Sequence, residues 1–425
     1  MTRRYALAGV LLLMLAGVMA ARSTRAGWTV RPMARAQHPH AVVVDTQTSR
    51  AFVTSYGANR RSGVVSVFDT TTGKLVRTVR LGTYPDAIAV DERTTRVFIG
   101  RDDGTVSLLD ARSGAVLGCV VLPHDGAPHT RRGSGGGNAV VQGLAVDERT
   151  GRVFVASIGM GSDPLSRVSM LEGRSGAILH SMAMEDPATV AVDAQAGRVL
   201  VMNQNGFVRV LDARTATALH GTLLNSAPGA VAVDERTSHV FVADQNGTAV
   251  NILDAYTGTL LHTTPVGQTP VALAMEAQSG RVFVVTANND AGPGSVSMLD
   301  AQSGALLHTV RLAGDLTGVA VDERRGRVFV TNAGTTDRSG TWVAPGGVQV
   351  LDAHSGALVR TIPTGVAPLG AAVDGQGHVV VINGGGTVRV PAVWWMQRLR
   401  PWLPWLRPPS TRTIPANVSV LDASG

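Results

Sequence analysis

One unit recurs eight times along this chain, and no other feature restricts its fold as strongly. Each unit has four strand-like pieces. The first ends in an acid, at Asp45, Asp91, Asp147, Asp193, Asp234, Glu276, Asp322 and Asp374, and an RVFV-like second piece follows at once. The third ends in a second acid, at Asp69, Asp110, Glu172, Asp212, Asp254, Asp300, Asp352 and Asp422, and an LLHTV-like fourth piece follows. Apolar and polar residues alternate through the third piece, as in Val296, Ser297 and Met298, which is the period of strands rather than helices. Gly, Asp, Ser and Thr cluster between pieces, as turns require. Four short antiparallel strands repeated at this spacing describe the blade of a β-propeller, an all-β fold.

The eighth unit lacks a fourth strand after Asp422, and the N-terminal segment supplies it. Residues 29–34, within TVRPMARAQHPHAVVVD, match the fourth-strand segment TVRLGTYPDAIAVD before Asp91 but have no unit of their own. Docked on the last unit, they close the ring and remove an exposed sheet edge. The expectation is therefore eight blades, with seven as the alternative count. Ala89, Ala145, Ala191, Ala232, Ala274, Ala320 and Ala372 hold one position of the innermost piece, consistent with crowding where blades converge on the axis.

The units, above all RVFVTN at 327–332 followed by VQVLDAHSGALVRTI, resemble the YVTN family of β-propeller repeats over residues 29–425. The tetrapeptide itself is degenerate here, reading FVTS, FIGR, FVAS, LVMN, FVAD, FVVT, FVTN and VVIN. The resemblance implies an extracytoplasmic propeller of surface-layer or periplasmic type, commonly seven-bladed, with a binding or scaffolding role.

Residues 1–26 read as a segment apart, with Arg3 and Arg4 before an apolar run from Tyr5 to about Ala20. A cleaved export signal and an N-terminal membrane anchor both fit, and either makes the protein extracytoplasmic. Residues 27–425 then form a single propeller domain. The lone Cys119 excludes an intrachain disulfide. The net charge of +7 suggests nucleic acid until it is mapped: Arg3, Arg4, Arg22 and Arg25 lie in the leader, and Arg389, Arg398, Arg400, Arg407 and Arg412 lie in one late insertion. Without these nine charges the rest carries 7 − 9 = −2, so nucleic acid is not an expected partner.

Turn lengths separate the two faces of the ring. On one, the DERTGR-like and DARSGA-like turns barely vary, and their acids read as turn formers. The other carries every insertion, the usual mark of a binding surface in a repeat protein. Arg101, Asn203, Asp244, Asn332 and Asn383, just after the second strands, are its candidate ligand contacts, with turn closure as their competing role. Asp103-Gly104, Asn205-Gly206 and Asn246-Gly247 read as tight hairpin turns. The insertion at 384–417 contains WWMQRLRPWLPWLRPP at 394–409, with four of the six tryptophans. Trp394, Trp395, Arg398, Arg400, Trp402 and Trp405 there are candidate contacts to a membrane surface or a cell-envelope partner.

No catalytic residue stands out. GxSxG, HExxH and a phosphate-cradling glycine loop are all missing. His180, His220, His262 and His308 recur on the outermost strand, too far apart around a ring to share a metal. His38 and His40 share the variable face with His124 and His129. The sequence requires no cofactor and specifies no metal. The reading it favours is a binding or scaffold propeller with an unidentified partner. The alternative is a channel-mouth enzyme, either a cation-dependent hydrolase or lactonase using oxygens of Asp102, Asp103, Asp244, Asn288, Asn289 or Asp290, or a quinone-cofactor oxidoreductase.

Overall fold

A computed structural model of the chain describes residues 28–32, 37–57, 62–123, 139–159, 166–287, 293–336, 341–344, 346–389 and 411–422. The leader at 1–26, the segment 394–409, His124, His129 and Asn288 to Asp290 lie outside the described residues. The described chain forms eight four-stranded antiparallel sheets plus one small accessory sheet. Blades 1 to 7 span 37–80, 85–121, 139–183, 187–223, 228–265, 270–311 and 316–363, and each is wound in chain order from its innermost to its outermost strand.

Blade 8 is composite. Its strands from the inside outward are Pro368–Val373, His378–Asn383, Asn417–Asp422 and Trp28–Pro32. The N-terminal strand pairs antiparallel with the third, Trp28 opposite Leu421 and Pro32 opposite Asn417. The closure expected from the repeat is therefore present, one residue earlier than the sequence match suggested. A buried hydrogen bond crosses the same joint, where Thr70 Oγ1 of blade 1 donates to Asp374 Oδ2 of blade 8 at 2.6 Å.

Most of the core lies in the seams between blades, because each sheet is apolar on both faces. Phe52, Val65 and Val67 of blade 1 meet Val97, Ile99 and Leu109 of blade 2. The closing seam is built alike, with Ala51, Val53 and Phe68 against Val380, Ile382, Val418 and Val420. Phe52, Phe98, Phe154, Phe241, Phe283 and Phe329, one on each of six second strands, are fully buried. This gives the recurrent Ala a more specific reason than crowding on the axis. Ala89, Ala145, Ala232, Ala274 and Ala320 stand directly across the ladder from Phe98, Phe154, Phe241, Phe283 and Phe329, so a small residue faces a large one where the seam narrows.

The accessory sheet was not legible in the sequence. It joins Thr335–Thr336 and Trp342–Ala344, from the long loop of blade 7, to Gly386–Arg389 and Thr411–Ile414, from that of blade 8. Its strands are two to four residues long and cross between blades, so no period-2 pattern announces them. Residues 386–389 and 411–414, on either side of the Trp-rich segment in the chain, pair antiparallel with each other.

Candidate functional site

The uniform face is locked by its own side chains. The inner acids are buried and cap their turns: Asp147 accepts from the Thr150 amide at 3.1 Å and hydroxyl at 2.7 Å, and Asp193 from the Ala196 amide at 2.7 Å. Glutamates then tie blades 2, 3, 5 and 7 to the one before. Glu92 accepts from the Thr46 amide at 3.0 Å and hydroxyl at 2.6 Å, Glu148 from the Glu92 amide at 3.1 Å, and Glu235 from the Ala194 amide at 3.2 Å. The outer acids cap the second set of turns. Asp110 accepts from the Ser113 amide at 2.8 Å and hydroxyl at 2.7 Å and pairs with Arg96 at 3.2 Å.

These contacts set the pH response. Hydrogen bonds from Ser303 hold the Asp300 carboxyl below the usual range, those from Ser175 do the same for Glu172, and those from Ser355 for Asp352. Such groups stabilise the fold above the ordinary carboxylate range near about pH 4 and lose that contribution as pH falls through their lowered values. Asp45, Asp102, Glu148 and Asp315 are raised, chiefly by burial, so their cost at neutral pH is relieved as pH falls through values above that range. Melting temperature is therefore expected to stay level or rise slightly from pH 7 to about 5, then fall below about pH 4. Thermal melts across that interval check it; a midpoint that keeps rising below pH 4 contradicts it.

The variable face is built differently. Where each innermost strand leaves the channel mouth, its ladder slips by a β-bulge, as between Pro39 and Ala41, Pro85 and Ala87, Val141 and Gly143, Pro270 and Ala272, and Pro368 and Gly370. A bulge frees one residue from the pleat and re-aims it. The freed residues form a collar in blade order: His40, Asp86, Gln142, Ala188, Gly229 with Ala230, Val271, Thr317 and Leu369. The collar is two-sided. Polar His40, Asp86 and Gln142 occupy blades 1 to 3, while Val271 and Leu369 are 39% exposed on blades 6 and 8.

Beside the polar arc four rings stack in sequence. His38 lies 5.3 Å from Tyr56, Tyr56 4.6 Å from Tyr84, and Tyr84 5.5 Å from His40, centre to centre. His40 Nε2 is 3.1 Å from the Asp86 carbonyl oxygen and 3.6 Å from its carboxylate, and Tyr84 Oη is 3.4 Å from His40 Nδ1. Beneath them Asp102 accepts from the Tyr84 amide at 2.9 Å. Burial raises its carboxyl, and the like charges of Asp103 and Asp86 add to the shift. On blades 3 to 5 the mouth widens into a hollow of about 500 Å³ lined by Gln142, Thr189, Gln204, Gln245 and Asn246.

The five residues singled out from the sequence are dispersed over blades 2, 4, 5, 7 and 8; Asn203, Asp244 and Asn332 close turns, Arg101 braces one, and Asn383 bonds across its sheet. Arg101 donates to Thr105 Oγ1 at 2.6 Å, to the Leu81 carbonyl at 2.8 Å and to Cys119 Sγ at 3.1 Å. Asn203 Oδ1 accepts from the amides of Asn205 and Phe207 at 3.1 and 2.7 Å. Asp244 accepts from the Asn246 amide at 3.2 Å, and Asn332 from the Gly334 amide at 2.9 Å. Asn383 donates to Asn417 Oδ1 at 2.8 Å and Ser419 Oγ at 3.0 Å. The three short hairpins close one residue earlier than expected, from the carbonyls of Arg101, Asn203 and Asp244 to the amides of Gly104, Gly206 and Gly247. Gly104 and Gly206 take positive φ, 74° and 84°, as the last residue of such a turn requires.

Asp103 likewise caps its turn, accepting from the Thr105 amide at 3.2 Å. The recurrent histidines sit on outermost strands, each opposite its own blade's third strand, as His262 is to Ile252 and His308 to Met298. Among the described residues no group of three His, Cys, Asp or Glu side chains converges as a metal site.

The fold and this mouth define a class, the eight-bladed propeller with one locked face and one elaborated face. A family model, PQQ_2, described as outer membrane protein assembly factor BamB, matches residues 102–276, about four blades. No curated protein matches the chain. Among solved structures it is similar to dihydro-heme d1 dehydrogenase NirN in complex with DHE, at 16% identity and a TM-score of 0.62 over 80% of this chain and 68% of that one. It is also similar to the computationally designed Ika8 protein, at 17% identity and a TM-score of 0.58 over 82% and 93%. A chain of the mitotic checkpoint complex follows at 14% identity and a TM-score of 0.53, over 70% and 83%. At these identities the likeness is one of fold alone.

Proposed function

We propose that this chain is an extracytoplasmic binding propeller that holds a ligand or partner at the channel mouth of its variable face. The asymmetry of the ring carries the reading: the acids of one face cap its uniform turns, while the other face presents a bulged collar, a ladder of rings and side-chain carboxamides without described partners. The similarity to a family described as an outer membrane protein assembly factor supports a role in the cell envelope. The finer resemblance to YVTN repeats points the same way. Trp394, Trp395, Arg398, Arg400, Trp402 and Trp405 form a second contact in this proposal, to a membrane surface or envelope partner. Flotation with anionic vesicles tests it. The intact chain should float and a chain lacking 394–409 should not; equal flotation of both removes this contact.

An oxidoreductase is the second reading, favoured by the His40, Asp86 and Tyr84 arrangement beside a carboxyl whose affinity for protons is raised. The relative titled dihydro-heme d1 dehydrogenase has the same fold. A quinone or haem bearing carboxylates calls for cationic partners, however, and the lining of the hollow on blades 3 to 5 offers none. Those residues do not fit such a cofactor. A native mass spectrum of the protein purified from its own envelope decides between the readings. The bare chain, or the chain with a dissociable partner, is expected; stoichiometric retention of a redox cofactor overturns the binding reading.

A further inference from the structure

The side chains around the hollow on blades 3 to 5 have an unusual chemistry in common. Gln142, Gln204, Gln245 and Asn246 are exposed, and their side-chain carboxamides make no hydrogen bond to any described residue. Gln204 and Gln245 hold the same position in successive hairpins, Asn203–Gly206 and Asp244–Gly247, so the fold sets them side by side in adjacent blades. A carboxamide carries two donors and an acceptor without charge. Four of them around a space of about 500 Å³, within the range of small-ligand pockets, form a matrix for a ligand that both donates and accepts at many points.

Other ligand classes fit less well. A lipid chain would bury these amides without partners, at a cost for each group. An anion finds no Arg, Lys or His in the lining of the hollow, and a metal finds no cluster of three ligating side chains among the described residues. The collar continues from the hollow through Gln142 to Asp86, beside the Tyr56 and Tyr84 rings. A carboxylate accepts strongly from hydroxyl groups, and aromatic faces pack against C–H surfaces. Amides, a carboxylate and tyrosine rings along one arc are complementary to a molecule with hydroxyl edges and apolar faces.

We infer that the arc from Tyr84 to Asn246 binds a neutral saccharide, a short oligosaccharide lying along the mouth from blade 2 to blade 5. This deepens, and rests on, the proposal that the variable face binds. The probe is an array of neutral, sulfated and sialylated oligosaccharides presented to the full exported chain, with affinities for the hits measured by calorimetry. Neutral glycans should bind. Gln204→Leu with Gln245→Leu, at exposed hairpin tips, should weaken them by about tenfold or more. Tyr84→Leu should weaken them independently. Gln195→Leu, at a hollow on the opposite face, should leave them unchanged. Circular dichroism and melting confirm that each variant folds. Binding confined to charged glycans, neutral binding insensitive to the double variant, or no binding at all overturns the saccharide inference. The variable-face proposal fails separately, when a captured ligand maps to the uniform face.

Discussion

A chain lacking residues 28–32 should lose on the order of 4 kcal/mol of stability and scatter light on standing. Five residues of that strand pair with Asn417–Asp422, and each net backbone hydrogen bond is worth about 0.5–1.5 kcal/mol. The larger consequence is kinetic. Asn417–Asp422 would become a bare sheet edge, with Val418 and Leu421 fully buried in the intact ring, and such edges recruit other chains. Melting, static light scattering and limited proteolysis of the deletion and the intact chain measure the effect. Early cleavage within 368–422 is expected; identical melting and scattering would mean that the ring does not depend on this joint.

Phe241→Ala should cost about 3–5 kcal/mol, the range for truncating a large ring inside a closed core. Phe241 is fully buried between blades 5 and 6, against Ala232 on its own sheet and beside Val282 and Val284 of the next. The seam cannot collapse onto the void, because both walls are sheets fixed by their own ladders. Leu261→Ser in the same blade is the control. Leu261 is 40% exposed on an outermost strand, and its loss should change stability by at most about 0.5 kcal/mol. Denaturant titration with the slope held constant gives both numbers. A small effect at Phe241, or a large one at Leu261, would contradict the placement of the core in the seams.

The fold was largely legible because its information is local and repeated. The acid, turn and RVFV-like piece recur in nearly the same geometry from blade to blade, so eight imperfect copies report one structure. Thr70 and Asp374 show where locality ends: they are 304 residues apart and meet only because the ring closes. The split into a uniform and an elaborated face was legible from loop lengths, whereas the residues that line the mouth were not. Arg101, Asn203, Asp244, Asn332 and Asn383 follow the second strands, where turn closure claims polar atoms first. The collar residues were missed because a bulge is a property of register, which two strands define together. A signal for it was present. Pro85, Pro187, Pro228, Pro270 and Pro368 open innermost strands and Pro39 is the third residue of another, and a recurrent Pro in a strand marks a place where the ladder breaks. The ring ladder had none, since His38 and Tyr56 come from one blade, Tyr84 from the connection to the next, and contact between them needs the folded mouth.

Photo-crosslinking in the native envelope tests the central claim most directly, with benzophenone side chains placed singly at Leu369 and Val271 on the collar and at Gln195 on the uniform face. Crosslinks from the two collar positions, and none from Gln195, are the predicted result. A partner captured from Gln195 while the collar stays silent would place the working surface on the uniform face and overturn binding at the channel mouth.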